Sequence, residues 1–214
     1  MFFRLTLCSS LLLSAAVSYS QGWREQHSGV SFGLTSTCFL DESRGWAVGE
    51  ELTILHTTDG GRNWTQSMLE ALPSVQSYYL QKILFLNDLE GWIFGYDGLA
   101  YHTTDGGTSW DVSIVGPGRD LYNAAFVGLD SGWAVGDNGT IRATTNGGQQ
   151  WFQQPTPTTR WLSGVSFVDH LHGWAAGDQG VVLATTDGGS TWSTRANVPA
   201  GWLACVDFTD QFHG

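Results

Sequence analysis

Positively charged side chains are scarce in this sequence. Its 9 lysines and arginines stand against 20 aspartates and glutamates, which gives a formal net charge of −11. A surface of this sign repels phosphate backbones and anionic lipid headgroups. The composition therefore excludes nucleic acid from the expected partners.

Cysteine is also scarce, with 3 residues in the chain. Cys8 lies in an N-terminal apolar segment, whereas Cys38 and Cys205 each lie in an apolar strand pattern, several repeats apart. Two cysteines this far apart exclude a disulfide framework, and free cysteine commonly packs as a small hydrophobic residue. We therefore expect two buried thiols. The histidines are scattered without metal-ligand spacing, so no metal or other cofactor is expected.

The sequence has only one long apolar run, which lies at its N-terminus. Arg4 precedes the apolar residues 5–17, and the small residues Ser18 and Ser20 follow them. This pattern indicates a signal peptide over residues 1–20, and no later stretch reaches the roughly 20 apolar residues that a membrane-spanning helix needs. We expect an exported protein, periplasmic or extracellular, without stable membrane insertion.

Glycine is abundant, at 28 residues, and much of it belongs to an internal repeat of about 41 residues. The segments GWAVG, GWIFG, GWAVG and GWAAG begin at Gly45, Gly91, Gly132 and Gly173. Eighteen residues after the tryptophan of each segment, a second tryptophan closes TTDGGRNW, TTDGGTSW, TTNGGQQW and TTDGGSTW. A repeat of this length is one supersecondary unit, which needs a neighbouring copy to bury its apolar face.

The first strand of each repeat is marked by a leucine and a phenylalanine, eleven and six residues before the repeat glycine. These residues are Leu34, Leu80, Leu121, Leu162 and Leu203, and Phe39, Phe85, Phe126, Phe167 and Phe208. An odd separation places the two side chains on opposite faces of an extended strand. We therefore expect both faces of this strand, and with them the leucine and the phenylalanine, to be buried between neighbouring sheets.

The second strand is the Gly-Trp segment, and a short turn follows it. Asp97-Gly98, Asn138-Gly139 and Gln179-Gly180 favour a type I′ hairpin, whereas Glu51-Leu52 departs from this pattern. A third strand then leads into Thr-Thr-Asp-Gly-Gly, where a side-chain oxygen can accept hydrogen bonds from backbone N–H groups. The closing tryptophan starts a fourth strand.

Four antiparallel strands in each period predict an all-β fold, a β-propeller of four-stranded blades. We expect four complete blades, at residues 34–79, 80–120, 121–161 and 162–202, and the start of a fifth blade at residues 203–214. Trp23 stands 41 residues before Trp64, which makes residues 21–33 the expected outer strand of a closing blade. Seven blades are expected in the full protein.

The TTDGGxxW motifs resemble the Asp-box of sialidase-like, BNR-type repeat proteins. Together with the preceding phenylalanine, the GWAVG segment and the glycine turn, they are more similar to the photosystem II stability and assembly factor family, over residues 22–214. This resemblance implies an exported seven-bladed propeller that acts as a chaperone-like scaffold in photosynthesis, holding the precursor of a membrane subunit. Photosynthetic members are similar in carrying an arginine-rich patch, and Arg119 and Arg160 occupy the equivalent places in this chain.

The connections that enter the first strands differ from blade to blade, which makes this rim the predicted binding surface. The candidate partner-binding residues are Tyr78, Tyr79, Arg119, Arg160, Trp161 and Trp202. Arginine pairs with carboxylates and aromatic rings give rigid contact area, so an extracytoplasmic protein or peptide is the expected partner. For Trp161 and Trp202, packing over the first strand is the alternative interpretation.

The Asp-box positions are Asp59, Asp105, Asn146 and Asp187, one in each blade. Their separation indicates a structural role in turns rather than a metal or sugar site. Retaining glycosidases need two carboxyl groups about 5 Å apart. Tyr122, which could be imagined as a sialidase-type nucleophile, is placed in a structural strand by Leu121 and Phe126. We expect a non-catalytic protein. The alternative is a sialidase-like or other glycan-binding propeller with its site in further blades.

Overall fold

The computed structural model describes residues 25–75, 77–195 and 201–214. Its strands form four sheets, in which each strand pairs antiparallel with the next strand along the chain. The first strands of neighbouring sheets contact one another, so they form the inner layer of the array. The predicted all-β fold with four four-stranded blades is confirmed.

The strand bounds follow the repeat. Blade 1 contains β1 (Leu34–Phe39), β2 (Gly45–Gly49), β3 (Ile54–Thr57) and β4 (Thr65–Ser67). Blade 2 contains β5 (Leu80–Phe85), β6 (Gly91–Gly95), β7 (Leu99–Thr103) and β8 (Asp111–Ile114). Blade 3 contains β9 (Leu121–Val127), β10 (Ser131–Gly136), β11 (Ile141–Thr144) and β12 (Phe152–Gln153). Blade 4 contains β13 (Leu162–Phe167), β14 (Gly173–Gly177), β15 (Val182–Thr185) and β16 (Ser193–Thr194).

The hydrophobic core lies between successive blades rather than inside any one of them. Leu80 and Ile83 of blade 2 pack with Trp46 of blade 1, and the next two interfaces repeat this arrangement. The tryptophan of each Gly-Trp segment also meets the phenylalanine of the following inner strand. Trp133 and Phe167 are stacked with ring centroids 3.5 Å apart. Each blade therefore completes the core of its neighbour, as a repeat without a core of its own requires.

A β-bulge near the start of each inner strand corrects the prediction that the leucine and phenylalanine point to opposite faces. In all four blades, the second residue of the inner strand has no paired residue on the second strand of that blade. These unpaired residues are Thr35, Gln81, Tyr122 and Ser163. One extra residue reverses the alternation that follows it. In blade 4, Leu162 and Phe167 consequently both pack against the preceding blade, blade 3. In blade 2, Leu84 lies on the other face of the inner strand and packs against the following blade, which is also blade 3.

Burial of the repeated residues depends on a preceding blade. Leu34 and Phe39 are 40% and 46% exposed, so the prediction that they are buried is wrong. Both occupy the positions that face the preceding blade, and no sheet covers that face among the described residues. Cys38 is half-buried whereas Cys205 is exposed, and both are free thiols, so the prediction of two buried thiols is also wrong. Cys205 lies in a segment that no strand pairs with in the part of the chain described.

Residues 25–33 and 203–214 contain no strand in the structure. A strand is defined by a ladder of backbone hydrogen bonds to a neighbouring strand, and neither segment forms such a ladder within the described residues. The side chain of Gln26 nevertheless accepts a hydrogen bond from Trp64 Nε1 at 3.3 Å, as that of Gln154 does from Trp192 Nε1 at 3.0 Å. Phe208 stacks on Trp174 with centroids 3.7 Å apart. The predicted signal peptide and Trp23 lie outside the described residues.

No helix in the described ranges is both long and apolar enough to cross a membrane.

Candidate functional site

The rim that carries the turns between second and third strands is organised by backbone hydrogen bonds. The first residue of each turn donates its N–H to the residue that precedes the inner strand of the same blade. Tyr96 donates to Tyr79 O at 2.9 Å, Asp137 to Asp120 O at 3.0 Å, and Asp178 to Trp161 O at 2.9 Å. These bonds bring one side chain from the turn and one from the connection together in each blade.

The turns adopt the predicted type I′ geometry. Both central residues have positive φ: 56° and 74° at Asp97-Gly98, and 49° and 69° at Asn138-Gly139. Gln179-Gly180 repeats this conformation. Glu51-Leu52, which departs from the sequence pattern, also takes φ values of 54° and 54°. The backbone of the first blade therefore keeps the common turn without the usual glycine.

Five aromatic rings form a continuous row along the rim that carries these turns, and we call that whole rim the aromatic rim. They are Tyr79, Tyr96, Tyr122, Trp161 and Trp202. Successive ring centroids lie 5.2, 6.0, 6.0 and 6.3 Å apart. Trp161 is 51% exposed and Trp202 is 55% exposed, so neither is buried over the first strand. The row runs from Tyr79, at the end of blade 1, to Trp202, at the end of blade 4.

Part of this row encloses a cavity of about 330 Å³. The lining residues are Gln81, Tyr96, Asp120, Tyr122, Asp137, Trp161 and Trp202. Gln81 and Tyr122 are two of the bulged residues, and a bulge commonly re-aims a side chain next to a functional site. The cavity thus combines four aromatic rings with two carboxylates.

Backbone donors hold both carboxylates of the cavity in place. Asp97 N donates to Asp120 Oδ1 at 3.1 Å, and Asp120 N donates to Asp137 Oδ1 at 3.2 Å. Arg119 Nη1 lies 3.7 Å from Asp137 Oδ2. With its carboxamide oxygen turned toward Arg119, Asn138 accepts from both terminal guanidinium nitrogens, at 3.2 and 3.3 Å. Arg119 is therefore engaged at the edge of the cavity.

The surroundings shift the protonation equilibria of the cavity. Burial raises the pKa of Asp137, and the nearby Asp120 adds to this effect, while Arg119 opposes it. Burial and then the charge of Asp120 raise the pKa of both Tyr96 and Tyr122 above the ordinary tyrosine value. The two phenols consequently remain neutral, so the charge of the cavity comes from its aspartates.

The structure places the six predicted binding residues in different surroundings. Trp161 and Trp202 line the cavity, and Tyr79 joins the row through Tyr96. The Tyr78 hydroxyl donates to Leu72 O at 3.1 Å, and its ring packs against the core between blades 1 and 2. Arg160 lines a separate concavity with Trp161 and Asp178. Neither Arg119 nor Arg160 lines the aromatic cavity.

Sequence reasoning missed the residues that give the cavity its chemistry: Gln81, Tyr96, Asp120, Tyr122 and Asp137. Tyr122 does lie in the strand that Leu121 and Phe126 predicted, β9, but its side chain lines the cavity. The bulge that redirects it has no marker in the sequence. Tyr96 and Asp137 do carry a usable signal, since each is the first residue of a turn already predicted at this rim.

The opposite rim is formed by the Asp-box turns, and we call it the Asp-box rim. In blade 2, Asp105 Oδ1 accepts from Thr103 Oγ1 at 2.8 Å and from Ser109 N at 2.9 Å. Gly107 N donates to Thr103 Oγ1 at 2.9 Å. Blades 1, 3 and 4 repeat these bonds around Asp59, Asn146 and Asp187. The four side chains thus close their own turns.

Among the residues described, no three His, Cys, Asp or Glu side chains are grouped so that they could hold a metal ion.

Solved structures with the same fold include two of YCF48. A structure of YCF48 bound to D1 peptide has a TM-score of 0.63 and 22% identity, and covers 83% of this chain and 57% of that chain. YCF48 from Cyanidioschyzon merolae has a TM-score of 0.61 and 22% identity, with coverage of 80% and 58%. The chain therefore spans little more than half the length of these proteins.

An ancestral GH74 enzyme also matches the fold, with a TM-score of 0.61, 14% identity, and coverage of 76% of this chain and 25% of that chain. Identities this low show the fold alone. Among curated protein sequences, none matches this chain.

A family model gives the more specific result. The model described as photosynthesis system II assembly factor YCF48 matches residues 15–118, 114–194 and 150–210. These overlapping matches follow the repeated blades and together cover most of the chain. The chain belongs to the family of the photosynthesis system II assembly factor YCF48.

Proposed function

We propose that this protein is a non-catalytic, exported propeller that binds an extracytoplasmic polypeptide across its aromatic rim, as a photosystem II assembly factor-like scaffold. The observation that carries the proposal is the pair of half-exposed tryptophans, Trp161 and Trp202, with ring centroids 6.3 Å apart. Tryptophan is enriched among the residues that dominate protein interfaces. Two of them side by side on connecting loops favour a binding surface.

The extent of the row favours a polypeptide as the ligand. Its rings come from connections, a turn and an inner strand of successive blades, so an extended chain can contact several of them at once. A relative of the same family, YCF48, has been solved bound to D1 peptide, which supports the same class of partner. Arg160 lies beside Trp161 on this rim and is exposed, so we assign it the contact to a partner carboxylate. Arg119 is less available, because Asp137 and Asn138 engage it.

A selection from a phage-displayed library of random peptides tests the binding function. Peptides enriched on the wild type should bind the double variant Trp161→Ala/Trp202→Ala at least about tenfold more weakly, the loss expected on removing an interface anchor. Phe152→Ala is the matched control, because Phe152 is an exposed aromatic residue on the outer strand β12. Failure to enrich any peptide, or equal losses in the control and the double variant, contradicts the proposal.

Export rests on the pattern of residues 1–20 and has its own test. Fusion of these residues to a reporter that is active only outside the cytoplasm should give activity. The same fusion with charged residues introduced into the apolar segment 5–17 should give none, because a signal peptide requires that segment to be apolar. Activity in both fusions, or in neither, contradicts export by this segment.

Glycan binding is the competing function, favoured by tryptophan and carboxylate groups lining one cavity. Sugars stack on exposed aromatic rings, and the fold is shared with a GH74 enzyme. Oligosaccharides that compete with the selected peptides for the wild type would favour this alternative. Hydrolysis of a glycoside would overturn the non-catalytic assignment.

A further inference from the structure

We propose that the aromatic cavity is a subsite for a cationic side chain, the guanidinium of arginine or the ammonium of lysine, presented by the bound polypeptide. This inference deepens the proposed polypeptide-binding function by naming the residue class that anchors it. It rests on the residues that line the cavity, on the negative charge of the cavity, and on its size.

The charge of the cavity is the first argument. Among the described residues that line it, Asp120 and Asp137 are the only ionisable side chains besides two neutral phenols. Each carboxylate uses Oδ1 to accept from a backbone N–H, and a carboxylate offers about four acceptor sites, so both keep capacity for a further donor. Burial already disfavours the charged form of Asp137. A bound cation would offset that cost.

The positive groups nearby do not fill the cavity. Arg119 approaches Asp137 from the side of the turn, at 3.7 Å, with Asn138 as its second partner. Arg142 lies on β11, where burial lowers the pKa of its guanidinium and Arg119 adds to the effect. Neither lines the cavity, so a ligand cation would meet two carboxylates there.

The aromatic walls are the second argument. Tyr96, Tyr122, Trp161 and Trp202 line the cavity, and successive rings along this row are inclined by 73°, 51° and 87°. Rings at such angles form a concave corner rather than a flat stack. A cation within about 6 Å of a ring centroid is attracted to the ring face, most strongly by tryptophan. Aromatic walls combined with carboxylates select a cation over a neutral or anionic group.

Size and long-range charge agree with this ligand. A volume of about 330 Å³ lies at the small end of ligand sites, which suits one long side chain better than an oligomeric ligand. The net charge of −11 attracts basic segments from solution. The cavity therefore complements arginine or lysine in shape and in charge.

Direct titration with capped amino acids tests the subsite. We expect N-acetyl-arginine amide and N-acetyl-lysine amide to shift the indole signals of Trp161 and Trp202 in NMR spectra, assigned through the two single Trp→Phe variants. The neutral isostere N-acetyl-citrulline amide should bind at least about tenfold more weakly, since it lacks the charge. Citrulline binding equal to arginine binding overturns the proposal.

Asp120→Asn provides the matched protein test. It removes the charge and keeps an oxygen that can accept from Asp97 N. We expect at least a tenfold loss for N-acetyl-arginine amide. Asp178→Asn is the control, because Asp178 occupies the same turn position as Asp137 in the next blade and does not line the cavity. Equal effects of the two variants overturn the subsite.

The two proposals can fail separately. If selected peptides bind through Trp161 and Trp202 but carry no enriched lysine or arginine and ignore Asp120→Asn, polypeptide binding stands and the cationic subsite is wrong. If the capped arginine binds in the cavity while no peptide is selected, the subsite stands and the proposed function is wrong. Displacement of the capped arginine by neutral oligosaccharides would assign the cavity to sugars.

Discussion

The Asp-box rim and the aromatic rim use opposite means to hold their turns. At the Asp-box rim, side chains satisfy the backbone: the threonine and the aspartate or asparagine accept hydrogen bonds from N–H groups of the turn. At the aromatic rim, the bond that docks each turn joins two backbone groups, as Asp137 N does to Asp120 O, and the carboxylates of Asp120 and Asp137 add side-chain acceptors there in blades 2 and 3 alone among the described turns. The first rim therefore repeats the same residues in all four blades, whereas the second is free to vary them.

This difference separates stability from recognition within one blade. A side chain that completes a turn has little freedom to be replaced, since an unsatisfied N–H group costs about 1–3 kcal/mol. A side chain on a turn closed by its own backbone can change without that cost. Changes at the two rims should therefore have different consequences.

The largest expected difference in the free energy of unfolding is between replacements of two tryptophans, one buried and one half-exposed. Trp133 is buried between blades 3 and 4, stacks on Phe167, and donates from Nε1 to Gly188 O at 3.0 Å. Trp133→Ala should lower the free energy of unfolding by about 3–5 kcal/mol, measured by denaturant titration. Trp161→Ala should lower it by less than about 1 kcal/mol, because half of its side chain is exposed. Similar losses would show that Trp161 supports the fold as a core tryptophan does, and would contradict its assignment to recognition.

A smaller effect is expected at the threonine of the Asp-box. Thr103→Val removes the acceptor of Gly107 N and should lower the free energy of unfolding by about 1–3 kcal/mol. The control is Thr104→Val, since Thr104 is the exposed neighbour. Both variants should bind capped arginine like the wild type in the NMR titration. Weaker binding by Thr103→Val would show that the two rims are coupled.

Acid should weaken the Asp-box rim through its carboxylates. Hydrogen bonds from the side chain and backbone of Asn63 lower the pKa of Asp59 to about 2, and those of Ser109 lower the pKa of Asp105 to about 2. The unfolded value is about 3.9. A carboxylate whose folded pKa is lower stabilises the fold above the unfolded value and loses that contribution as the pH falls. Stability should therefore decline between about pH 4 and pH 2.

The Asp-box of blade 3 has an asparagine at the aspartate position, which suggests how to test the pH dependence. Asn146 Oδ1 accepts from Gln150 N at 3.0 Å without titrating. In the triple variant Asp59→Asn/Asp105→Asn/Asp187→Asn, urea titrations from pH 5 to pH 2 should show a shallower loss of stability than in the wild type. The loss should not vanish, because the pKa values of Asp41 and Asp169 are also lowered. If the free energy of unfolding falls with pH as steeply in the triple variant as in the wild type, the Asp-box carboxylates do not have this role.

The smallest expected effect concerns the first turn of the aromatic rim. Glu51 is exposed and has a φ of 54°, a conformation that asparagine tolerates better than glutamate. Glu51→Asn should raise the free energy of unfolding by up to about 1 kcal/mol in denaturant titrations. Gln179→Asn, at the same place in blade 4, should act alike. A loss in both variants would show that side-chain contacts outweigh backbone strain there.

Much of the fold could be predicted from the sequence because every blade repeats its own signals. The Gly-Trp segment, the Asp-Gly or Asn-Gly turn and the Asp-box each act locally, so their spacing predicted the blades. Leu34 and Phe39 show the limit of such reasoning. They match the pattern of Leu80 and Phe85, yet they are partly exposed, because burial depends on a neighbouring blade.

The candidate site could be predicted only in part. The variable connections indicated Trp161, Trp202 and Tyr79, whose positions follow directly from the repeat. Tyr122 could not be placed, since its direction depends on a bulge whose single extra residue leaves no mark in the sequence. The sequence indicated Arg119 and Arg160 as the charged binding residues, whereas the charged residues that line the cavity are Asp120 and Asp137.

By itself, the sequence determined the strand order, the turn types and the rim on which the blades differ, because these depend on interactions within about 40 residues. Tertiary structure decided which side chains share one cavity. Tyr96, Asp120, Tyr122 and Trp161 come from two blades, and they meet through the bulges, the docked turns and the packing of blade against blade. Those contacts join residues far apart along the chain, and periodicity alone does not specify them.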